Sequence, residues 1–288
     1  MTTKITYLMT LMFLITGVIS MPLQALAQAD CDTSHFVDVS EGSAGEDYPA
    51  PELSVTCTET EMIITSNGIT NFEFVPMTPG DLQVYALTYT IPLDPVFADE
   101  PTDIPLLGTV AVAVNGLPIY GPNEGGNLGF GDPFLDGILD FCNGHVGPSG
   151  YHFHARPDCL FDTVEDQVGL VIGYALDGYP ILAPYVCTDE ACEEIVQVSS
   201  SWQRTSDVTS AWEAHEYVAG SGDLDECNGM EDADGNYAYY ATDTFPYLLA
   251  CYQGEVSLDA TGEGQPPTGE NRTPPDDNQG NGRPPRNP

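Results

Sequence analysis

Short runs of β-branched and aromatic residues, separated by turn dipeptides, recur along most of the chain. Asn-Gly and Asp-Gly pairs follow several runs, and such pairs supply the positive φ angles that two-residue hairpin turns require. Helical spacing of apolar residues occurs only near VTSAWEAHEYVAG, from Val208 onward. The pattern predicts a mainly β fold with few short helices. The apolar runs are SVTCTETEMIITSNGITNFEF, LQVYALTYTI, GTVAVAVNGLPIYGP and GLVIGYALDGYPILAP.

The two ends of the chain depart from this pattern. Residues 1–29 combine an early cation, Lys4, with a long apolar run and small residues near Ala27, which is typical of a secretory signal peptide. Residues 255–288 are rich in Pro, Gly and polar residues, so a disordered tail is expected. A β-rich domain is therefore predicted over 30–254, in a protein exported to the periplasm or the exterior. No later run is long enough to span a bilayer, which predicts no transmembrane segment in the mature chain.

The sequence resembles itself in two places. AVAVNGLPIYGP is similar to IGYALDGYPILAP, and CNGHVGPSGYHFH is similar to CNGMEDADGNYAYY. We therefore expect two copies of one unit, at about 106–160 and 168–254, interleaved in a single core. The copies differ in their imidazoles, which indicates that the fold itself does not require them. The three histidines of the first copy and their counterparts are His145 with Met230, His152 with Ala238, and His154 with Tyr240.

The histidines of the first copy have a spacing that suits a metal. Side chains alternate faces along a strand, so His152 and His154 share one face while Tyr151 points to the other. His145 precedes them in a Gly-rich turn that would fold back over the strand. Three neutral imidazoles are typical ligands of copper or zinc, and they would leave one coordination position open for exchange or catalysis. The alternative is that the histidines satisfy each other and nearby carbonyls within an aromatic knuckle.

Other polar residues near the histidines are weaker candidates. Asp140 and Asp158 are candidates to supply oxygen ligands or to orient the histidines by hydrogen bonds, and Tyr151 is a further candidate for such a hydrogen bond. Arg156 is a candidate partner for an anionic ligand. Further along, MEDADGNYAYYA at 230–241 partly resembles a calcium loop, although its first and twelfth positions are not acidic. A solvated acidic hairpin is the alternative for that segment.

Eight cysteines fall within the predicted mature chain, and their even number indicates four disulfides in an oxidising compartment. Cysteine ligands and a cysteine nucleophile are therefore not expected. The connectivity is open in the sequence, and local spacing alone favours neighbouring pairs. The favoured pairs are Cys31 with Cys57, Cys142 with Cys159, Cys187 with Cys192, and Cys227 with Cys251.

The strongly acidic composition argues against negatively charged binding partners. The chain has 44 acidic and 6 basic residues, so it lacks the basic footprint that nucleic acid or an anionic membrane surface requires. Its 15 tyrosines and 2 tryptophans suit a metal-independent module that binds glycans or a partner protein. A surface component whose acidic faces are bridged by calcium is a third hypothesis. The oligomeric state and any enzymatic activity stay open in the sequence.

Several ordered motifs resemble the YHYH-domain family of exported bacterial proteins, which is named for its tetrapeptide. The resemblance runs over about 55–254 and departs from the family pattern at Phe153, where the tetrapeptide has Tyr. It implies export and a shared architecture, and it brings no established activity. The motifs that carry it are GTVAVAVNGLPIYGP, CNGHVGPSGYHFHARPDCL, VIGYALDGYPILAPY and GDLDECNGMEDADGNYAYYATDTFPYLLAC.

Overall fold

The computed structural model describes residues 31–256, and within them the fold is mainly β. The predicted signal peptide at 1–29 and nearly all of the predicted tail lie outside the described residues. One α-helix, α1 (Ala211–Ala214), falls in the segment where helical spacing predicted it. It ends after four residues because His215 begins the next strand. Two 3-10 turns cover Gly126–Leu128 and Asp158–Leu160.

The strands are short, as the spacing of the turn dipeptides predicts. The first eight are β1 (Leu53–Cys57), β2 (Glu61–Ser66), β3 (Leu87–Pro92), β4 (Phe97–Asp103), β5 (Thr109–Ala113), β6 (Pro118–Tyr120), β7 (Gly144–Gly147) and β8 (Gly150–Phe153). The others are β9 (Val171–Ala175), β10 (Pro180–Leu182), β11 (Tyr185–Cys187), β12 (Ile195–Gln197), β13 (Trp202–Arg204), β14 (His215–Tyr217), β15 (Gly229–Glu231), β16 (Tyr237–Tyr240) and β17 (Cys251–Gly254).

The largest sheet has eight strands in the order β15-β16-β10-β9-β5-β6-β8-β7. Its two halves have the same connectivity. In one half β5 pairs antiparallel with β6, β6 parallel with β8, and β8 antiparallel with β7. In the other half β9, β10, β16 and β15 repeat these three pairings in the same order. The halves meet where β5 and β9 pair antiparallel at the centre of the sheet.

The central strands owe their position to their composition. All five residues of β5, the sequence TVAVA, are buried, as expected for an apolar strand covered on both faces. An Asn-Gly turn with Gly116 at φ 79° joins β5 to β6, and the Asn115 side chain accepts a hydrogen bond from the Leu117 amide. Asp177 forms the same contact with the Tyr179 amide in the turn between β9 and β10. The similar sequences of the two turns therefore form the same local structure.

A three-stranded antiparallel sheet, β1-β2-β3, contributes apolar side chains to the same hydrophobic core. The described residues also form three two-stranded sheets, which pair β4 with β17, β11 with β12, and β13 with β14. Within residues 31–256, no helix has the length and apolar character needed to cross a bilayer.

The four disulfides have the connectivity that local spacing favours, and the described residues contain no free cysteine. One bridge closes each half of the main sheet near its Cys-Asn-Gly motif, and the bridge in the first half spans the histidine hairpin. The pairs are Cys31–Cys57, Cys142–Cys159, Cys187–Cys192 and Cys227–Cys251.

The Cys-Asn-Gly motif of the first half forms a knuckle that leads into β7. Asn143 has a left-handed backbone with φ 62°, and the Asp140 carboxylate accepts hydrogen bonds from the Cys142 and Gly144 amides. Asp140 also accepts the Tyr151 hydroxyl, at 2.8 Å. A Cβ atom at Gly144 would clash with that hydroxyl, so the position requires glycine.

The second half contains a knuckle with the same contacts. Asn228 has φ 69°, and the Asp225 carboxylate accepts the Cys227 and Gly229 amides together with the Tyr237 hydroxyl. Each knuckle therefore fixes the start of a hairpin by the same set of buried bonds.

Candidate metal centre

The hairpin of β7 and β8 brings the three histidines together. His145 lies directly opposite His152 in the register, and His154 follows the end of β8 on the same face. The Nε2 atoms of His145 and His152 are 3.1 Å apart, and one nitrogen from each of the three rings lies within 4.8 Å of the others. His145 belongs to β7 rather than to the turn in which the sequence placed it, because the chain reverses only at Pro148 and Ser149, between β7 and β8.

Backbone carbonyls determine which ring nitrogen of two histidines carries the proton. Nδ1 of His154 lies 2.6 Å from the Gly121 carbonyl oxygen, and Nδ1 of His152 lies 3.1 Å from the Gly150 carbonyl oxygen. A carbonyl can only accept, so Nδ1 is the protonated nitrogen in both rings and Nε2 keeps its lone pair. Carbonyls hold the outer nitrogen of metal-binding histidines in the same way.

Burial keeps the three imidazoles neutral. Their exposed fractions are 4% for His145, 4% for His152 and 2% for His154. Desolvation lowers the pKa of His145 to about 4, an effect that the nearby Ile138 backbone partly offsets. Desolvation, with a smaller contribution from His145, lowers the pKa of His154 to about 3, and burial also lowers the pKa of His152 well below its usual value. Neutral imidazoles are the form that binds metals.

A carboxylate that the sequence did not single out completes the cluster. Oε1 of Glu124 lies 3.1 Å from Nε2 of His145 and 3.7 Å from Nε2 of His154. The Glu124 side chain is only 12% exposed, and burial raises the pKa of its carboxyl, partly offset by a hydrogen bond from the Gly125 amide.

A hydrogen-bonded loop holds Glu124 in place between β6 and the first 3-10 turn. Its amide donates to the Gly131 carbonyl at 2.7 Å, and its own carbonyl accepts from the Asn123 side chain at 2.9 Å. The Oδ1 atom of Asn123 accepts from the indole of Trp212 at 2.8 Å. Both backbone groups of Glu124 are thus fixed, which fixes the approach of its carboxylate to the histidines.

The model of one protein family, described as YHYH protein, matches residues 88–254, more than half of the chain. This chain belongs to the YHYH family. The matched segment contains both halves of the main sheet and all of the residues that form the cluster. No curated protein and no solved structure matches the chain. Family membership therefore shows relatedness and leaves the chemistry of the site open.

The YHFH tetrapeptide of this YHYH protein presents its histidines and aromatic residues on opposite sides. Tyr151 and Phe153 contact Phe72 on the face away from the imidazoles. On the imidazole side, the ring of Tyr120 stacks on His152 with centroids 3.9 Å apart. Phe153 stands where the family tetrapeptide has Tyr. This difference lies on the face away from the imidazoles, so the imidazole side of the hairpin is the same with either residue.

The structure does not bring Asp140, Asp158 or Arg156 to the histidines of this YHYH protein. Asp140 is occupied by the knuckle and the Tyr151 hydroxyl, on the opposite face of the hairpin. Arg156 pairs with Asp158 at 2.5 Å and with Asp243 at 3.0 Å. The candidate oxygen ligands and anion partner thus make structural bonds, and Tyr151 serves the same knuckle.

The segment that partly resembles a calcium loop forms the hairpin of β15 and β16. Oδ1 of Asp232 accepts the amides of Asp234 and Asn236, and the Asn236 side chain donates to Oδ2 at 3.0 Å. These bonds explain why the pKa of the exposed Asp232 carboxyl is lowered. The carboxylate is therefore engaged by its own turn, and calcium binding there stays a prediction.

Proposed function

We propose that this YHYH protein binds one transition-metal ion, copper or zinc, through His145, His152 and His154. The observation that carries the proposal is the convergence of their Nε2 atoms, two of which have their lone pairs fixed inward by carbonyls on the outer nitrogens. A proton on Nε2 of His145 can pair with the lone pair of His152, but the lone pair of His154 has no donor. Imidazole nitrogens are preferred ligands of both metals.

A purely structural role for the cluster is less consistent with its hydrogen bonds. Among the described residues, Nε2 of His154 is buried and makes no hydrogen bond. Buried polar atoms are nearly always paired, and an unpaired one costs about 1–3 kcal/mol. A metal ion would give that nitrogen a partner.

The two halves of the main sheet support the same proposal. We interpret 106–160 and 168–254 as copies of one unit, because their strands share one connectivity and their knuckles share one set of bonds. Met230 pairs with Ala238 where His145 pairs with His152. One unit thus keeps the scaffold without imidazoles at these positions, and the other would be specialised for a metal.

Export belongs to the proposal as well. Four disulfides form most readily in an oxidising compartment, either the periplasm or the exterior. An ion bound there would be taken from the medium or received during folding, and the predicted signal peptide at 1–29 would direct the chain to that compartment.

Element analysis tests the proposal directly. The protein is produced through an oxidising compartment without a histidine tag, dialysed, and measured by plasma mass spectrometry before and after incubation with Zn²⁺ or Cu²⁺. We expect about one ion per chain in the wild type and none in the H152A/H154A variant, because a single imidazole does not retain a metal through dialysis.

The matched control is H35A/H215A, which removes two imidazoles that lie outside the cluster. His35 contacts Tyr174, and His215 stacks on Phe245. Equal metal content in the wild type and in H152A/H154A, or no uptake by the wild type, would refute the proposal.

A cavity favours a second candidate function, a metal-independent module that binds glycans. It has a volume of about 720 Å³, within the usual range for ligand pockets. Trp202, Trp212 and Tyr217 form aromatic walls, while Glu100 and Asp103 lie at the rim. Aromatic faces stack on sugar rings, and carboxylates accept hydrogen bonds from sugar hydroxyls.

A glycan array probed with the metal-free protein tests this second candidate. We expect binding that persists in EDTA and falls at least about tenfold in W202A, since truncating a buried aromatic anchor typically costs more than 1.4 kcal/mol. Trp212 is left unchanged because it bonds to Asn123 beside the metal centre. Y48A is the control, because Tyr48 lies outside the cavity and donates to Asp81. An array without any metal-independent signal would count against the module.

A further inference from the structure

We infer that Glu124 is the fourth ligand of the proposed centre, which makes the site a closed, four-coordinate one for a divalent ion. The inference rests on the proposed metal binding by His145, His152 and His154. It replaces the open coordination position that the sequence alone suggested, and it sets the kind of ion and the role of the centre.

Glu124 could either bind the metal itself or position a histidine that does, and the ring nitrogen that its carboxylate approaches distinguishes these two roles. A carboxylate that orients a metal-bound histidine bonds the outer ring nitrogen, the one that faces away from the metal. In this protein the outer nitrogens of His152 and His154 are bonded to carbonyls instead. Oε1 of Glu124 approaches the inner Nε2 atoms of His145 and His154, so it points into the space that a bound ion would occupy.

The Glu124 oxygen also lacks another use. Among the described residues, Oε1 is buried and makes no hydrogen bond, as does Nε2 of His154 beside it. Two unpaired acceptor atoms, 3.7 Å apart, share one gap. A single cation in that gap would give both a partner, whereas a water molecule would have to donate to each of the surrounding acceptors.

The comparison of the two halves assigns Glu124 to the same specialisation as the histidines. Pro122 of the first unit corresponds to Pro184 of the second, so Glu124 corresponds to Val186. Val186 lies in β11 and packs against a small apolar cluster. All four proposed ligands therefore belong to one unit, and the other unit has a non-ligating side chain at the position of Glu124.

Four ligands from the chain give the centre a definite character. Structural zinc sites are four-coordinate and closed, whereas catalytic sites keep one position for water. A carboxylate oxygen together with three imidazoles favours Zn²⁺ or Cu²⁺ over the softer Cu⁺, which prefers sulfur ligands. We therefore expect a resident ion that stabilises the hairpin and its neighbouring loop.

Cobalt provides the probe, because four-coordinate Co²⁺ absorbs visible light much more strongly than five- or six-coordinate Co²⁺. The wild type is titrated with Co²⁺ and then with Zn²⁺ as competitor, alongside E124A and E124Q. We expect intense visible bands in the wild type, bands of clearly changed position and intensity in E124A, where water takes the place of the carboxylate, and Zn²⁺ binding at least about tenfold weaker in E124A. E124Q should lie between them, because its amide oxygen is an uncharged ligand.

The control E165Q changes a surface glutamate and tests the effect of net charge alone. Metal-free E124A and E124Q should unfold no more easily than the metal-free wild type, since removing a buried unpaired charge does not destabilise. A clear loss of stability in both would show a structural role and overturn the inference. Unchanged cobalt bands and zinc affinity in E124A would also overturn it while leaving the histidine site intact. A wild type that takes up neither ion would overturn the histidine proposal and this inference together.

Discussion

Saturating the metal-free protein with Zn²⁺ is expected to raise its unfolding temperature by roughly 10 °C. A ligand that binds only the folded state at 1,000 times its Kd adds about 4 kcal/mol, and each kcal/mol raises the midpoint of a domain of this size by about 2–4 °C. The effect should be large here because the metal-free centre buries three imidazoles and a carboxylate at close range. Scanning calorimetry with and without EDTA measures it.

The ligands of the proposed centre come from different structural elements. Glu124 follows β6, His145 lies in β7, and His152 lies in β8. An ion that joins them would resist the separation of the hairpin from the rest of the sheet. Cu²⁺ is tested in parallel, since the imidazoles suit both metals.

The H152A/H154A variant is the control for site specificity, and its unfolding temperature should not respond to Zn²⁺ or to EDTA. Calcium is the control for the acidic surface. A rise with Ca²⁺ and none with Zn²⁺ or Cu²⁺ would favour the calcium hypothesis and contradict the proposed centre. Equal midpoints in Zn²⁺ and in EDTA for the wild type would contradict it as well.

The sequence predicts the histidine cluster because its geometry is local. Residues at i and i+2 of a strand share a face whatever the rest of the fold does, so His152 and His154 were expected to converge. The position of His145 depended on the hairpin register. The four-residue turn sets that register, and the sequence alone did not specify it.

Glu124 shows what such local patterns miss. It lies in a loop after β6, twenty-one positions before His145, and it is one acid among 44. Only the tertiary pairing of β6 with β8 brings its loop to the hairpin. The signal that would have found it is the repeat itself, because extending the comparison two residues beyond Pro122 pairs this carboxylate with Val186.

Asp140 shows the opposite case, a residue near the histidines whose role is structural. An aspartate precedes both Cys-Asn-Gly motifs, at Asp140 and at Asp225. A residue present in both units belongs to the scaffold they share, whereas the three clustered histidines have no histidine counterparts in the second unit. The structure agrees, since each aspartate accepts the same two amides and one tyrosine hydroxyl.

Removal of the Cys142–Cys159 disulfide in a C142A/C159A variant is expected to lower the free energy of unfolding and to weaken metal binding. The bridge closes a segment with a sequence separation of 17, which contains the whole histidine hairpin. Loop-closure entropy for a segment of that length gives about 3 kcal/mol. Urea unfolding of the metal-free protein measures the stability, and zinc titration measures the affinity.

The other half of the sheet supplies the matched control. Cys227 and Cys251 are separated by 24 positions, so C227A/C251A should cost a similar amount, again about 3 kcal/mol. That bridge closes the unit that lacks the histidine cluster, and its loss should leave zinc affinity nearly unchanged. If the Cys142–Cys159 bridge acts locally on the metal centre, the two variants therefore differ in zinc affinity even when their free energies of unfolding are the same. Equal loss of zinc affinity in both would show that affinity follows global stability, and it would contradict a bracing role for Cys142–Cys159.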